Sequence, residues 1–175
     1  MQRPGMAKTL QLVAEQGAVR GFYSGELAEA IGQVLQQSGG VLSSQDLQDH
    51  AEQGTEFRES ISVEYHGLRV HEVPPPTQGL AALQALRLID GLVPEGTEHN
   101  SAAHLHLQIE AMRLAFADAQ AFIADEQVAA VPVSELLSEQ YLSARRALVK
   151  PDVAAADAVA GSPPSGCDTV QVWVP

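Results

Sequence analysis

The residue in this chain best placed to do chemistry is Thr169. It follows Asp168 at the end of a Gly/Ser/Pro-rich stretch, Gly161-Ser-Pro-Pro-Ser-Gly-Cys167, and opens an alternating apolar run, Val170-Gln-Val-Trp-Val174. A threonine hydroxyl is a poor nucleophile until a base takes its proton. A threonine that becomes the first residue of a chain carries that base itself. Its α-amine sits beside the hydroxyl and has a reference pKa of about 7.7–8.0, suited to proton transfer near neutrality. Cleavage before Thr169 requires its hydroxyl to attack the carbonyl of Asp168, giving an ester that water opens. A strand that starts after a mobile linker leaves such a bond exposed and open to strain. The simpler reading of the same residue is that β-branched side chains favour strand starts.

Other side chains invite chemistry less. His99, His104 and His106 suggest a metal site, but on a helix residues 104 and 106 point in different directions. His106 and Glu110 share a face, yet two ligands are too few for a metal. Asp118 and Asp125 are candidate carboxylates, for which helix-end capping or a solvated face is the simpler account. Arg145-Arg146 can pair with an acidic surface, an interaction usually worth little. Pro74-Pro-Pro76 reads as a rigid strand exit rather than a proline-rich ligand.

The elements that position these residues are mostly helical. Residues 4–16 read as a helix with Pro4 in the first turn and Gly17 at the stop. Ser24 is placed to cap a second helix carrying Leu27, Ile31, Val34 and Leu35, ended by Ser38-Gly39-Gly40. A short helix starts at Ser43 or Ser44, with Asp46 set for a capping box. The period then changes to two. Residues 60–65 and 68–73 read as a hairpin turned at His66-Gly67. Thr77 can cap a helix with Leu80, Leu83, Leu86 and Ile89, stopped near Gly91. Ser101 can cap a long helix to about Asp125, with Leu105, Ile109, Met112 and Phe116 facing inward. Ser134 and Ser138 can each start helical turns, the second running through Tyr141, Leu142 and Leu148. Residues 150–167 are rich in Ala, Pro, Gly and Ser and read as a flexible linker. The domain reading is therefore a helical segment over 1–149 with a hairpin at 60–73, a linker over 150–167, and a new strand from 168 to 175.

In order along the chain stand Ala7-Lys-Thr-Leu-Gln-Leu-Val-Ala-Glu-Gln-Gly17, Gly21-Phe-Tyr-Ser-Gly25, Ala28-Glu-Ala-Ile31, Gly39-Gly40 and Asp46-Leu47. There follow Ser60-Ile-Ser-Val63, Tyr65-His-Gly67, Pro74-Pro-Pro-Thr-Gln-Gly79, His106, Glu110-Ala-Met-Arg-Leu-Ala-Phe-Ala-Asp118 and Ala124-Asp125. Val131-Pro-Val133, Leu136-Leu-Ser138, Tyr141 and Arg145-Arg146 complete the set. Together these resemble the gamma-glutamyltransferase family, the glutathione hydrolases, from about residue 4 to 174. The resemblance implies an N-terminal-nucleophile hydrolase made as one precursor, whose self-cleavage leaves a Thr at the head of a small subunit. Thr169 matches that Thr, and Asp168-Thr169 the cleavage site. It also implies a fold of α+β class, mainly helical here, wrapping a four-layer αββα sandwich. The implied substrates are γ-glutamyl amides such as glutathione, and the implied partner is the small subunit of the same precursor. No metal or organic cofactor is implied.

The run after Thr169 departs from the family pattern, with Pro175 where an acid is usual. The family's oxyanion-hole glycines and substrate contacts match no residue here, so no substrate-binding residue is assigned. Losing one oxyanion donor costs on the order of a hundred- to thousandfold, so the expectation is a truncated proenzyme, inactive by itself. The rivals are a related acylase, for example one acting on glutaryl-type side chains, and a non-catalytic helical interaction module.

Composition narrows the classes further. The 175 residues carry a formal net charge of −12, are 45% hydrophobic and only 5% aromatic. The core must therefore be built from Leu, Ala, Val and Ile. An acidic surface repels phosphate backbones and anionic lipid, so nucleic acid is not an expected partner. One cysteine, Cys167, excludes an internal disulfide and a multi-cysteine zinc site. No apolar run reaches the ~18 residues of a membrane span, and the first residues lack a signal peptide's apolar region.

Overall fold

The computed structural model describes residues 3–164; Asp168 and Thr169, with the strand read after them, lie outside the described residues. The chain divides into two compact units, one through Phe57 and one from Arg58 onward.

The first unit is helical. Helix α1 (Pro4–Ala18) starts with proline in its first turn and loses helical geometry at Gly17, whose φ of 78° only glycine adopts at ease. The chain does not loop out there. It continues through a π-helical turn, Val19–Tyr23, into α2 (Gly25–Gln37). Ser24 does not cap α2: its hydroxyl donates back to the Val19 carbonyl at 2.9 Å, because the preceding turn offers that acceptor first. Helix α3 (Ser44–Gln53) carries the expected capping box. The Ser43 amide donates to Asp46 Oδ2 at 2.7 Å, and the Asp46 amide donates to Ser43 Oγ at 3.4 Å.

The second unit opens with an antiparallel hairpin, β1 (Ile61–Tyr65) and β2 (Leu68–Glu72), in the register Val63 opposite Val70. His66 and Gly67 both take positive φ, 49° and 76°, as a two-residue hairpin turn demands. Helix α4 (Gly79–Asp90) follows the three prolines, with Gln78 rather than Thr77 at its N-cap. It packs on α5 (Ala102–Phe122), which Ser101 caps by accepting from the His104 amide. A short turn α6 (Val133–Leu136) and helix α7 (Glu139–Arg146), capped by Ser138, close the unit.

Two apolar clusters hold these elements. One joins Leu88 of α4, Ala111 and Leu114 of α5 and Leu142 of α7. The other joins Leu80, Leu136 and Tyr141. Each fully buried leucine contributes roughly 1.5–3 kcal/mol over leaving it in water.

Helix α5 corrects the sequence reading. Leu105, Ile109, Met112 and Phe116 are exposed, Ile109 by 57%. The buried face is instead His104, Leu107, Glu110, Ala111, Leu114, Ala115, Asp118 and Ala119. Small side chains let α4 approach closely, and the charged ones on that face find partners inside. The larger apolar residues therefore lie on the outer face. Among the described residues no helix is long and apolar enough to cross a membrane.

Candidate functional site

Among the described residues that precede Thr169 in sequence are those of 150–161, whose composition suggests a loose linker. They are fastened at several points along α5. Lys150 pairs with Val153 in an isolated bridge, and His106 Nε2 donates to the Lys150 carbonyl at 2.8 Å. The Ala155 amide donates to Glu110 Oε2 at 3.1 Å. Arg113 donates to the carbonyls of Ala155 and Ala156, at 2.8 and 3.3 Å, and to Glu110 at 2.7 Å. The Gly161 amide donates to Asp118 Oδ1 at 2.9 Å. The strap advances along α5 in the helix's own direction, from His106 to Asp118. Val149 and Ala158 meanwhile add to the first apolar cluster.

Beneath the far end of the strap lies a buried polar cluster. Asp118 is fully buried, and one of its carboxylate oxygens lies 3.1 Å from Arg145, itself 3% exposed. Its other oxygen accepts from Gln84 Nε2 at 2.6 Å. Arg145 also donates to the carbonyls of Val159, at 2.7 Å, and Leu114, at 3.3 Å. The solvated-face account of Asp118 and the weak-ion-pair account of Arg145 are both overturned here. A buried pair of this kind, broken on one side, leaves an uncompensated charge at a cost of about 3–5 kcal/mol. The signal was present in the helical phase. Asp118 continues the buried series Leu107, Ala111, Leu114, and Arg145 continues Tyr141 and Leu142.

Tyr141 closes the cluster. Its ring is buried, and its hydroxyl lacks a well-formed hydrogen bond among the described residues. Burial, and next the nearby Asp118 carboxylate, push its phenol well above the ordinary tyrosine range. The hydroxyl lies against Gly161 so closely that a Cβ there would sit 2.9 Å from ring carbons of Tyr141, a separation real side chains do not tolerate. For Glu110, burial pushes the carboxyl up. The hydrogen bonds from Arg113 and the Ala155 amide, with the charges of Arg113 and His106, outweigh it and hold the group below its usual value.

The remaining candidates lie apart from this cluster. Asp125 is exposed three residues beyond α5, which ends at Phe122 rather than near Asp125, and it accepts from the Gln127 amide at 2.9 Å. Arg146 pairs with Glu139 and donates to the Arg87 carbonyl at 2.7 Å. His99 and His104 are ring neighbours, centroids 4.9 Å apart, in a cavity of about 390 Å³ that His66 and Asp90 also line. Among the described residues no three His, Cys, Asp or Glu side chains gather as metal ligands. Chemically, the polar cluster under the strap holds main chain in place. Its carboxylates are engaged in ion pairs and main-chain hydrogen bonds, which suits fastening rather than proton transfer.

The described residues form a mainly helical chain with one two-stranded hairpin, which is consistent with the fold that the resemblance drawn above implies. The sequence profile described as Gamma-glutamyltranspeptidase matches residues 1–174, and the chain belongs to that family. A glutathione hydrolase proenzyme of Pseudomonas aeruginosa is 33% identical over 152 residues, 85% of this chain and 27% of the relative. The gamma-glutamyltranspeptidase of Pseudomonas nitroreducens, solved with L-DON, superimposes with a TM-score of 0.66 at 31% identity, over 89% of this chain and 46% of that one. A cephalosporin acylase from Bacillus halodurans superimposes with a TM-score of 0.64 at 38% identity, over 85% of this chain and 27% of that one. The chain spans about a quarter to a third of the length of the curated relatives it matches, 23–32%.

Proposed function

We propose that this chain is the part of a gamma-glutamyltransferase-type glutathione hydrolase precursor that runs to the self-cleavage point, with Thr169 as the nucleophile. The observation that carries the reading is the family match, which extends to residue 174 and so takes in Asp168 and Thr169. That several relatives are proenzymes supports it.

In the proposed cleavage, the Thr169 hydroxyl oxygen bonds to the Asp168 carbonyl carbon and the hydroxyl proton passes to the departing amide nitrogen. The peptide bond becomes an ester. Water then adds to the same carbon, Asp168 leaves as a carboxylate, and Thr169 regains its hydroxyl with a free amine beside it. In turnover that amine takes the hydroxyl proton as the oxygen attacks a γ-glutamyl amide. The acyl group passes to water or to an amino acid. On this reading residues 1–149 belong to the large subunit, 150–167 connect it to the cleavage point, and 168–175 begin the small-subunit strand of the αββα sandwich. Glutathione and the small subunit are the proposed partners.

The test uses the full-length precursor. We expect it to separate into two subunits on a denaturing gel, with an N-terminal sequence beginning at Thr169, and Thr169→Ala to leave one band. An undivided unmutated precursor that nonetheless consumes glutathione would refute the proposal. The acylase reading keeps a place because the Bacillus halodurans acylase is the more identical of the two structures compared. Relative turnover of γ-glutamyl-p-nitroanilide and its glutaryl analogue decides between them.

A further inference from the structure

Resting on the reading of Thr169 as the residue freed by self-cleavage, we infer that Asp118, Arg145 and Tyr141 clamp Gly161 to position the segment that feeds the 168–169 bond. They are positioning residues for the cleavage step.

The strap could have been tied by surface groups, as it is at His106 and Lys150. At its far end it is tied by a carboxylate and a guanidinium that are almost completely buried. Burying a charge pair costs desolvation free energy that a simple loop fastening does not require. Both members direct hydrogen bonds at strap main chain: Asp118 accepts the Gly161 amide and Arg145 donates to the Val159 carbonyl. Gln84 holds the second carboxylate oxygen, so the Asp118 side chain has little freedom to turn. Tyr141 closes the floor, leaving no room for a side chain at position 161.

Gly161 precedes Thr169 by eight residues, and Pro163 and Pro164 stand just after it. Proline fixes φ, so Pro163 and Pro164 restrict the chain in the first residues after the clamp. An intramolecular attack of hydroxyl on carbonyl depends steeply on geometry, and a displacement of about 1 Å can cost a hundredfold. On the reading of Thr169 as the nucleophile, a shift at the clamp is expected to act on the rate of bond breakage and not on later turnover.

The experiment follows first-order cleavage of the purified full-length precursor on denaturing gels, with thermal melting of the same samples. Gly161→Ala drives a methyl into Tyr141 while leaving every charge in place. We expect it to slow cleavage by about a hundredfold with the cooperative melt retained. Asp118→Ala should slow it comparably. Asp118→Asn, which can still accept from the Gly161 amide while the Gln84 amide turns over, should recover most of the rate. Once cleaved, the slow variants should hydrolyse γ-glutamyl-p-nitroanilide with unaltered kcat/KM. An unchanged cleavage rate in folded Gly161→Ala overturns the inference and leaves Thr169 standing. So does a kcat/KM that falls in step with cleavage. If Asp118→Ala does not fold, Gly161→Ala decides alone. An unmutated precursor that never cuts at 168–169 overturns this inference together with the reading beneath it.

Discussion

Glu110 ties the strap through its carboxylate, so its protonation state matters to that attachment. Its carboxyl is held below the ordinary glutamate value, because partner hydrogen bonds and charges overcome burial. A depressed carboxyl stabilises the folded state above its unfolded pKa, and the contribution disappears as pH falls through the lower native value. Melting temperatures measured downward from about pH 6 should therefore fall more steeply in the unmutated chain than in Glu110→Gln. The two curves should run parallel if Glu110 has no such role. At this scale the sequence was legible where partners are close along the chain. The capping pairs at Ser43 and Asp46, at Ser101 and His104, and at Ser138 and Tyr141 all span three residues. Thr169, singled out by its chemistry and its place after the linker, lies outside the described residues and stands as a proposal. Asp118 was not, because its partners, Gln84, Arg145 and Gly161, lie far away along the chain and a carboxylate without a visible partner reads as solvated.

Among the elements, the hairpin and α5 mark the two extremes of legibility. The hairpin follows from alternation and from His66-Gly67, whose backbone conformation fixes register locally. Helix α5 has two faces that can each be buried: one bulky and apolar, the other small and partly charged. Hydropathy favours the first, whereas the described structure buries the second. Which face turns inward is a tertiary choice, made by the close approach of α4 and by the partners of Glu110 and Asp118. In the 175-residue chain, Ile109→Ser and Phe116→Ser should each change the unfolding free energy by no more than about 0.5 kcal/mol. Ala111→Leu and Ala115→Leu, at positions with no exposed surface, should each cost about 1–3 kcal/mol through overpacking. Urea denaturation measures all four, and the opposite order would mean that the bulky face is the buried one.

For the molecule as a whole, the family is shared along nearly the full sequence, while the chain spans only about a quarter to a third of the relatives' length. The compact units described here are thus to be weighed as parts of the family's architecture. Tyr141 gives a way to watch the second unit respond as one body. A phenol raised above the ordinary tyrosine value stabilises the folded state below that ordinary value, and this contribution fades as alkali carries the solution through the higher native value. In an alkaline ultraviolet titration, one tyrosinate signal should be missing from the early absorbance rise. It should appear late, with the loss of helical circular dichroism, and Tyr141→Phe should delete that late component alone. The ring pressed against Gly161 is in this sense an optical probe already installed in the protein: its colour change reports, without any label, the moment at which the strap is released.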